Sequence, residues 1–113
     1  MDCIFCKIID GEIPSKKIYE DEFLYAFEDI ERASPVHILI IPKKHFETIL
    51  DIKEEDSNII SAVYMAANKI ANELKFNKSG FRIVTNCKED GGQTVFHVHF
   101  HLLAGRKMLW PPG

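Results

Sequence analysis

Apolar and histidine residues alternate strictly along Phe96-His97-Val98-His99-Phe100-His101-Leu102. Side chains on a strand point alternately to opposite faces. An extended chain here therefore puts His97, His99 and His101 on one face and Phe96, Val98, Phe100 and Leu102 on the other. Wound as a helix, the same residues would scatter the imidazoles and leave no apolar stripe at 3.6-residue spacing. Other segments read as strands too. Ile18-Tyr19-Glu20 and Phe23 to Asp29 carry aromatic and branched residues on either side of Asp21-Glu22, which predicts a hairpin. The apolar run Val36-His37-Ile38-Leu39-Ile40-Ile41, ending at Pro42, predicts a strand covered on both faces, and Phe81 to Asn86 alternates again.

Helical spacing occurs in two places. From about Lys53 to Leu74 the apolar positions Ile60, Val63, Tyr64, Ala67, Ile70, Ala71 and Leu74 recur at the helical period. The acidic Lys53-Glu54-Glu55-Asp56 cluster suits the start of that helix, and Asn77-Lys78-Ser79-Gly80 ends it. A short helical turn around Phe5 to Ile9 is closed by Asp10-Gly11-Glu12-Ile13-Pro14-Ser15, while Trp110-Pro111-Pro112-Gly113 has no regular structure to offer. The sum is an α+β fold over residues 1–113 as a single domain. It has an antiparallel sheet of about five strands, one long helix covering one face, and a short N-terminal helix.

Composition narrows the function classes. A chain of 113 residues with 46% apolar content is one domain with a real core. The opening Met1-Asp2-Cys3-Ile4-Phe5-Cys6-Lys7 lacks the basic start and apolar run of a secretory signal, and no stretch is long enough to cross a bilayer. A cytoplasmic protein with no membrane partner is expected. Three cysteines make a poor disulfide framework and fit a reducing compartment. A formal net charge of -3, from 14 basic and 17 acidic residues, argues against a nucleic-acid partner but leaves room for a small anion.

Three imidazoles on one face are an odd core filling, because each buried ring needs partners for its nitrogens. Two active readings compete: histidines on one strand face can share a catalytic zinc, or act separately as nucleophile and proton handler. Just upstream, Asn86 and Gly91-Gly92-Gln93-Thr94 form a turn that feeds the histidine face. Glycines there let successive N–H groups converge on an anion, with Gln93 and Thr94 adding side-chain donors. Cys3-Ile4-Phe5-Cys6 has the spacing of half a zinc site. Two of the five histidines, His37, His45, His97, His99 and His101, would complete a closed, structural tetrahedron. There is no second carboxylate cluster near the glycine turn of the kind magnesium prefers, so no magnesium requirement is expected.

His97-Val98-His99-Phe100-His101-Leu102-Leu103 resembles the His-φ-His-φ-His-φ-φ signature of the histidine triad (HIT) family. The resemblance runs through Lys7 to Pro14, Phe27-Glu28-Asp29-Ile30, His37 to His45, Gly91 to Thr94, and Trp110-Pro111-Pro112-Gly113, the last being similar to the Hint branch. It implies a homodimer with paired sheets and a purine nucleotide substrate. The reaction implied is hydrolysis or transfer between a nucleoside monophosphate and its leaving group, as in a phosphoramidate. By position, His99 would be the nucleophile that forms a nucleotidyl-histidine. A neutral imidazole can attack phosphorus without a base to strip it. His101 and Thr94 would serve the phosphate and leaving group, with His37 nearby and Asn86, Gly92 and Gln93 lining the phosphate pocket. Asp29 would take the ribose hydroxyls, and Ile4, Phe5, Ile8, Phe27 and Ile30 would surround the base. Similar bacterial members bind zinc through residues corresponding to Cys3, Cys6, His45 and His97. Thr94 stands where Hint proteins often have serine and Glu28 where they often have histidine, which bears on substrate preference. The rival readings are a dinucleoside polyphosphate or nucleotidyl-sulfate hydrolase and a nucleotide-binding regulatory partner.

Overall fold

The computed structural model describes residues 3–113; Met1 and Asp2, the start of the segment read above for a targeting signal, lie outside the described residues. In chain order the elements are α1 (Ile4–Ile9), β1 (Lys17–Glu20), β2 (Leu24–Glu28), β3 (Val36–Pro42), α2 (Ser57–Glu73), β4 (Arg82–Thr85), α3 (Lys88–Gly91) and β5 (Phe100–Ala104). The strands form one antiparallel sheet in the order β1-β2-β3-β5-β4. The β1–β2 hairpin closes where Asp21 Oδ1 accepts the N–H groups of Phe23 and Leu24, each at 2.8 Å. No helix among the described residues is long and apolar enough to cross a membrane.

Strand alternation builds a core on each face. Leu24, Ala26, Ile38, Ile40, Val98, Phe100, Leu102 and Ala104 pack against Ile59, Val63, Ala66, Ala67, Ile70 and Ala71 of α2. On the opposite face, Tyr25, Phe27, Leu39 and Ile41 pack against Phe5 and Ile8 of α1. β3 is thus covered on both sides, as its apolar run requires.

Two expectations change. On the long helix Val63, Ala67, Ile70 and Ala71 are buried as expected, but Ile59 and Ala66 join them, whereas Tyr64 and Leu74 are 49% and 48% exposed. Ala66, beside the expected Ala67 and Ala71, is small enough to fill a position where the helix lies close against the sheet. A short 3₁₀ turn, Glu54–Asp56, precedes α2, which begins at Ser57. The histidine segment is laddered only from Phe100, and Phe96 is half exposed rather than in the core. The reason is the end of β3. Ile40 is the last residue to pair with β5, opposite Phe100; beyond it Pro42 pairs with Leu24 on the other side and has no N–H to donate. The Val98 N–H turns instead to the Phe46 carbonyl at 2.7 Å. Alternation of faces survives the loss of the ladder, and His97, His99 and His101 all lie on the α1 side.

Candidate active site and candidate metal centre

His97 is fully buried, and its Nε2 lies 2.8 Å from the Pro42 carbonyl oxygen. A carbonyl only accepts, so Nε2 carries the proton and Nδ1 keeps its lone pair. That lone pair meets Cys3 Sγ at 3.3 Å, Cys6 Sγ at 3.6 Å and His45 Nδ1 at 3.1 Å, and His45 Nδ1 lies 3.4 Å from Cys6 Sγ. A tetrahedral ion with bonds of about 2.0 Å to nitrogen and about 2.3 Å to sulfur sets its ligands roughly 3.3–3.7 Å apart. The observed spacings fit, and the N–H···O=C anchor is the outer partner that a ligating imidazole needs. Cys3, Cys6, His45 and His97 therefore form a possible metal site. Burial, then the neighbouring Cys3 thiol, push Cys6 up to about 11, so without a cation to replace its proton it stays a thiol at neutral pH. α1 delivers the cysteines because Cys3 is its N-cap, Sγ accepting the Cys6 N–H at 3.4 Å.

His99, two residues on, has the reverse arrangement. Its Nδ1–H donates to the His97 carbonyl at 2.8 Å, which leaves the Nε2 lone pair for a substrate. The ring is held edge-on by Phe5, centroids 5.2 Å apart, and by His101 at 5.0 Å. Phe5 also meets His97 at 5.9 Å, so one aromatic ring touches both the metal cluster and the candidate nucleophile.

The tautomer of His101 is set by a chain of contacts. Ala33 N–H donates to His37 Nδ1 at 3.0 Å, so the proton of neutral His37 sits on Nε2. His37 Nε2 lies 2.9 Å from His101 Nδ1 and 3.3 Å from Asp29 Oδ2, and both can accept that proton. His101 then carries its own proton on Nε2. Burial, with the facing imidazoles His99 and His37, holds His101 down to about 4; burial also lowers His37, against Asp29, which raises it. Asp29, His37 and His101 are close enough together to suggest a second metal cluster. The Ala33 N–H argues against that, because it occupies Nδ1 and obliges Nε2 to be protonated.

A cavity of about 730 Å³ opens beside these rings. Ile4, Phe5, Ile8, Phe27 and Leu39 line one part, and Asp29, Thr94, His99 and His101 bring polar groups to the same space. Ile30 also borders it and is 95% exposed. The remaining expected residues lie differently. Gly91, Gly92 and Gln93 direct their backbone N–H groups to Cys87, Glu89 and Lys88, closing α3 instead of converging on an anion. The Gln93 amide donates to the Glu47 and Val95 carbonyls at 2.7 and 3.0 Å and accepts from Lys88 N–H, so its side chain braces the loop. Gly92, at φ +77°, is the left-handed cap that ends α3. Asn86 lines a separate concavity of about 560 Å³ with Arg82, Leu103, Arg106 and the C-terminal tail. Sequence reasoning missed the Ala33 N–H and the Pro42 carbonyl. Both are backbone groups, and no residue type announces them.

A family model described as the HIT domain matches residues 10–108. The chain belongs to the HIT family. A HIT-like protein of Synechococcus elongatus is 42% identical over 99% of this chain and 97% of its own length. A HIT family hydrolase from Legionella pneumophila superposes with a TM-score of 0.96 at 46% identity, covering 99% of this chain and all of that one. A histidine triad protein from Clostridium difficile gives 0.94 at 50% identity, covering 96% and 95%. The match to HIT structures supports a hydrolase fold.

Proposed function

We propose that the chain is a purine nucleoside phosphoramidate hydrolase of the Hint type, acting by covalent catalysis through His99. The observation that carries this is the His99 Nδ1–H bond to the His97 carbonyl, which leaves the Nε2 lone pair as nucleophile beside a nucleotide-sized cavity. Nε2 attacks phosphorus, the P–N bond breaks, and the amine leaves with a proton from solvent. Water then attacks the nucleotidyl-imidazole, the Nε2–P bond breaks, and the monophosphate departs. The positive charge on His99 in the intermediate is eased by its carbonyl partner. His101 Nε2–H donates to the leaving group, where a fixed donor stabilises charge as it develops. Thr94 adds a hydroxyl to the phosphate, Asp29 faces the ribose, and the apolar wall takes the base.

A structural zinc held by Cys3, Cys6, His45 and His97 would fix α1, and with it Phe5, against the site. The donor set is closed, with no position left for substrate. We read the protein as a cytoplasmic homodimer, as its family resemblance implies. β4 is an outer strand, and the nearby Phe81, Leu109 and Trp110 are exposed. Rates on adenosine and guanosine phosphoramidates, dinucleoside polyphosphates and nucleotidyl sulfates test the assignment. Fastest turnover of phosphoramidates supports it, and faster turnover of either other class replaces it.

A further inference from the structure

The contact chain that sets His101 does not begin at Ala33. The Arg106 guanidinium donates to the Ala33 carbonyl from Nε at 3.2 Å and from Nη2 at 3.1 Å, while Nη1 reaches the Lys107 carbonyl at 3.4 Å. Two bonds from one planar fork to one oxygen fix the orientation of that residue. The sheet brings the groups together. Val36 pairs with Ala104 at the end of the β3–β5 ladder, and just past it Gly105 lies against Pro35. Gly105, at φ +94°, permits this approach, since a Cβ there would lie 2.8 Å from the Pro35 side chain. Arg106 then continues the ladder by side chain where backbone pairing has stopped.

We propose that Arg106 is a positioning residue for His101, acting through Ala33 and His37. With the Ala33 carbonyl held, the Ala33 N–H stays aimed at His37 Nδ1. His37 keeps its proton on Nε2, and His101 keeps its donor hydrogen on Nε2, toward the substrate. Arg106 lies outside the lining of the cavity that holds His99 and His101, so it has no direct contact with substrate to lose. The catalytic consequence rests on the proposed function; the tautomer consequence does not.

The test pairs kinetics with nitrogen NMR of the histidine rings in Arg106→Met and Arg106→Lys. Arg106→Met is expected to lower kcat about tenfold on a phosphoramidate with a basic amine leaving group, with KM within about twofold. It should change little on an activated nitrophenyl ester, whose leaving group needs no donor. Arg106→Lys, which keeps one donor, should recover part of the loss. In wild type the NMR signature should be Nε2–H on both His37 and His101, and Arg106→Met should mix the tautomers. Unchanged tautomers in Arg106→Met overturn the proposal, whatever the substrate turns out to be. So does an equal loss on both leaving groups, which marks general distortion. If wild type forms no nucleotidyl-His99 while the tautomers still shift, the functional reading fails and the positioning role stands.

Discussion

His97 and His99 are two residues apart, face the same side of the chain and are both buried, yet they leave opposite ring nitrogens free. Each donates one ring N–H to a carbonyl. For His97 the donor is Nε2, so Nδ1 is left among two thiols and a second imidazole; for His99 it is Nδ1, so Nε2 is left to the cavity. His37 supplies the contrast. Its fixed partner is an N–H, so it must offer a proton rather than a lone pair. Proximity of three or four donors does not make a metal site, because the backbone group on the far side of each ring decides which nitrogen is free.

The contrast breaks most visibly at the cysteines. Cys6→Ser should abolish bound metal and lower stability by roughly 3 kcal/mol or more, about 10–20 °C in Tm, measured by metal analysis and thermal melting. Full stability without metal would remove the structural role assigned to the quartet. His37→Phe attacks the other cluster and should reduce kcat about 10–100-fold while metal content stays full. Loss of metal from that variant would merge the two clusters into one.

Acid pH sharpens the comparison further. His101 titrates at about 4 when folded, below its ordinary value of 6.5, so the unfolded chain binds the extra proton first. Its contribution to stability is complete above pH 6.5 and is lost as pH falls toward 4. Denaturant melts should therefore show a shallower acid-side slope in His101→Gln than in wild type, and parallel slopes would contradict the buried neutral ring. The smallest effect belongs to the ring that links the clusters. Phe5→Leu should cost about 1 kcal/mol in stability and raise KM severalfold, with metal retained. An unchanged KM would show that the pocket wall does not depend on this contact.

Much of this was legible in the chain itself, because periodicity reports burial. The five strands, both predicted helices and the shared face of the three histidines follow from apolar spacing that packing rewards. The margins of the α2 face were not legible: Ala66 wins a buried position by fit rather than hydrophobicity, while the larger Tyr64 and Leu74 stay exposed at its edge. The glycine turn misled for a related reason: its N–H groups satisfy carbonyls within α3, a choice that only backbone geometry reveals. The division of labour proposed for His97 and His99 came from family resemblance alone. Alternation treats the two rings alike, and carbonyl partners that are not specified by residue type separate them.

The most direct test is an intact-mass measurement after one equivalent of an adenosine phosphoramidate, made alongside metal analysis of the same samples. Wild type should gain one adenylate and carry its metal. His99→Ala should gain none while keeping the metal, and hydrolysis should fall to background. Equal hydrolysis by wild type and His99→Ala, or loss of metal on removing His99, would contradict the assignment of nucleophile and metal ligand to neighbouring histidines.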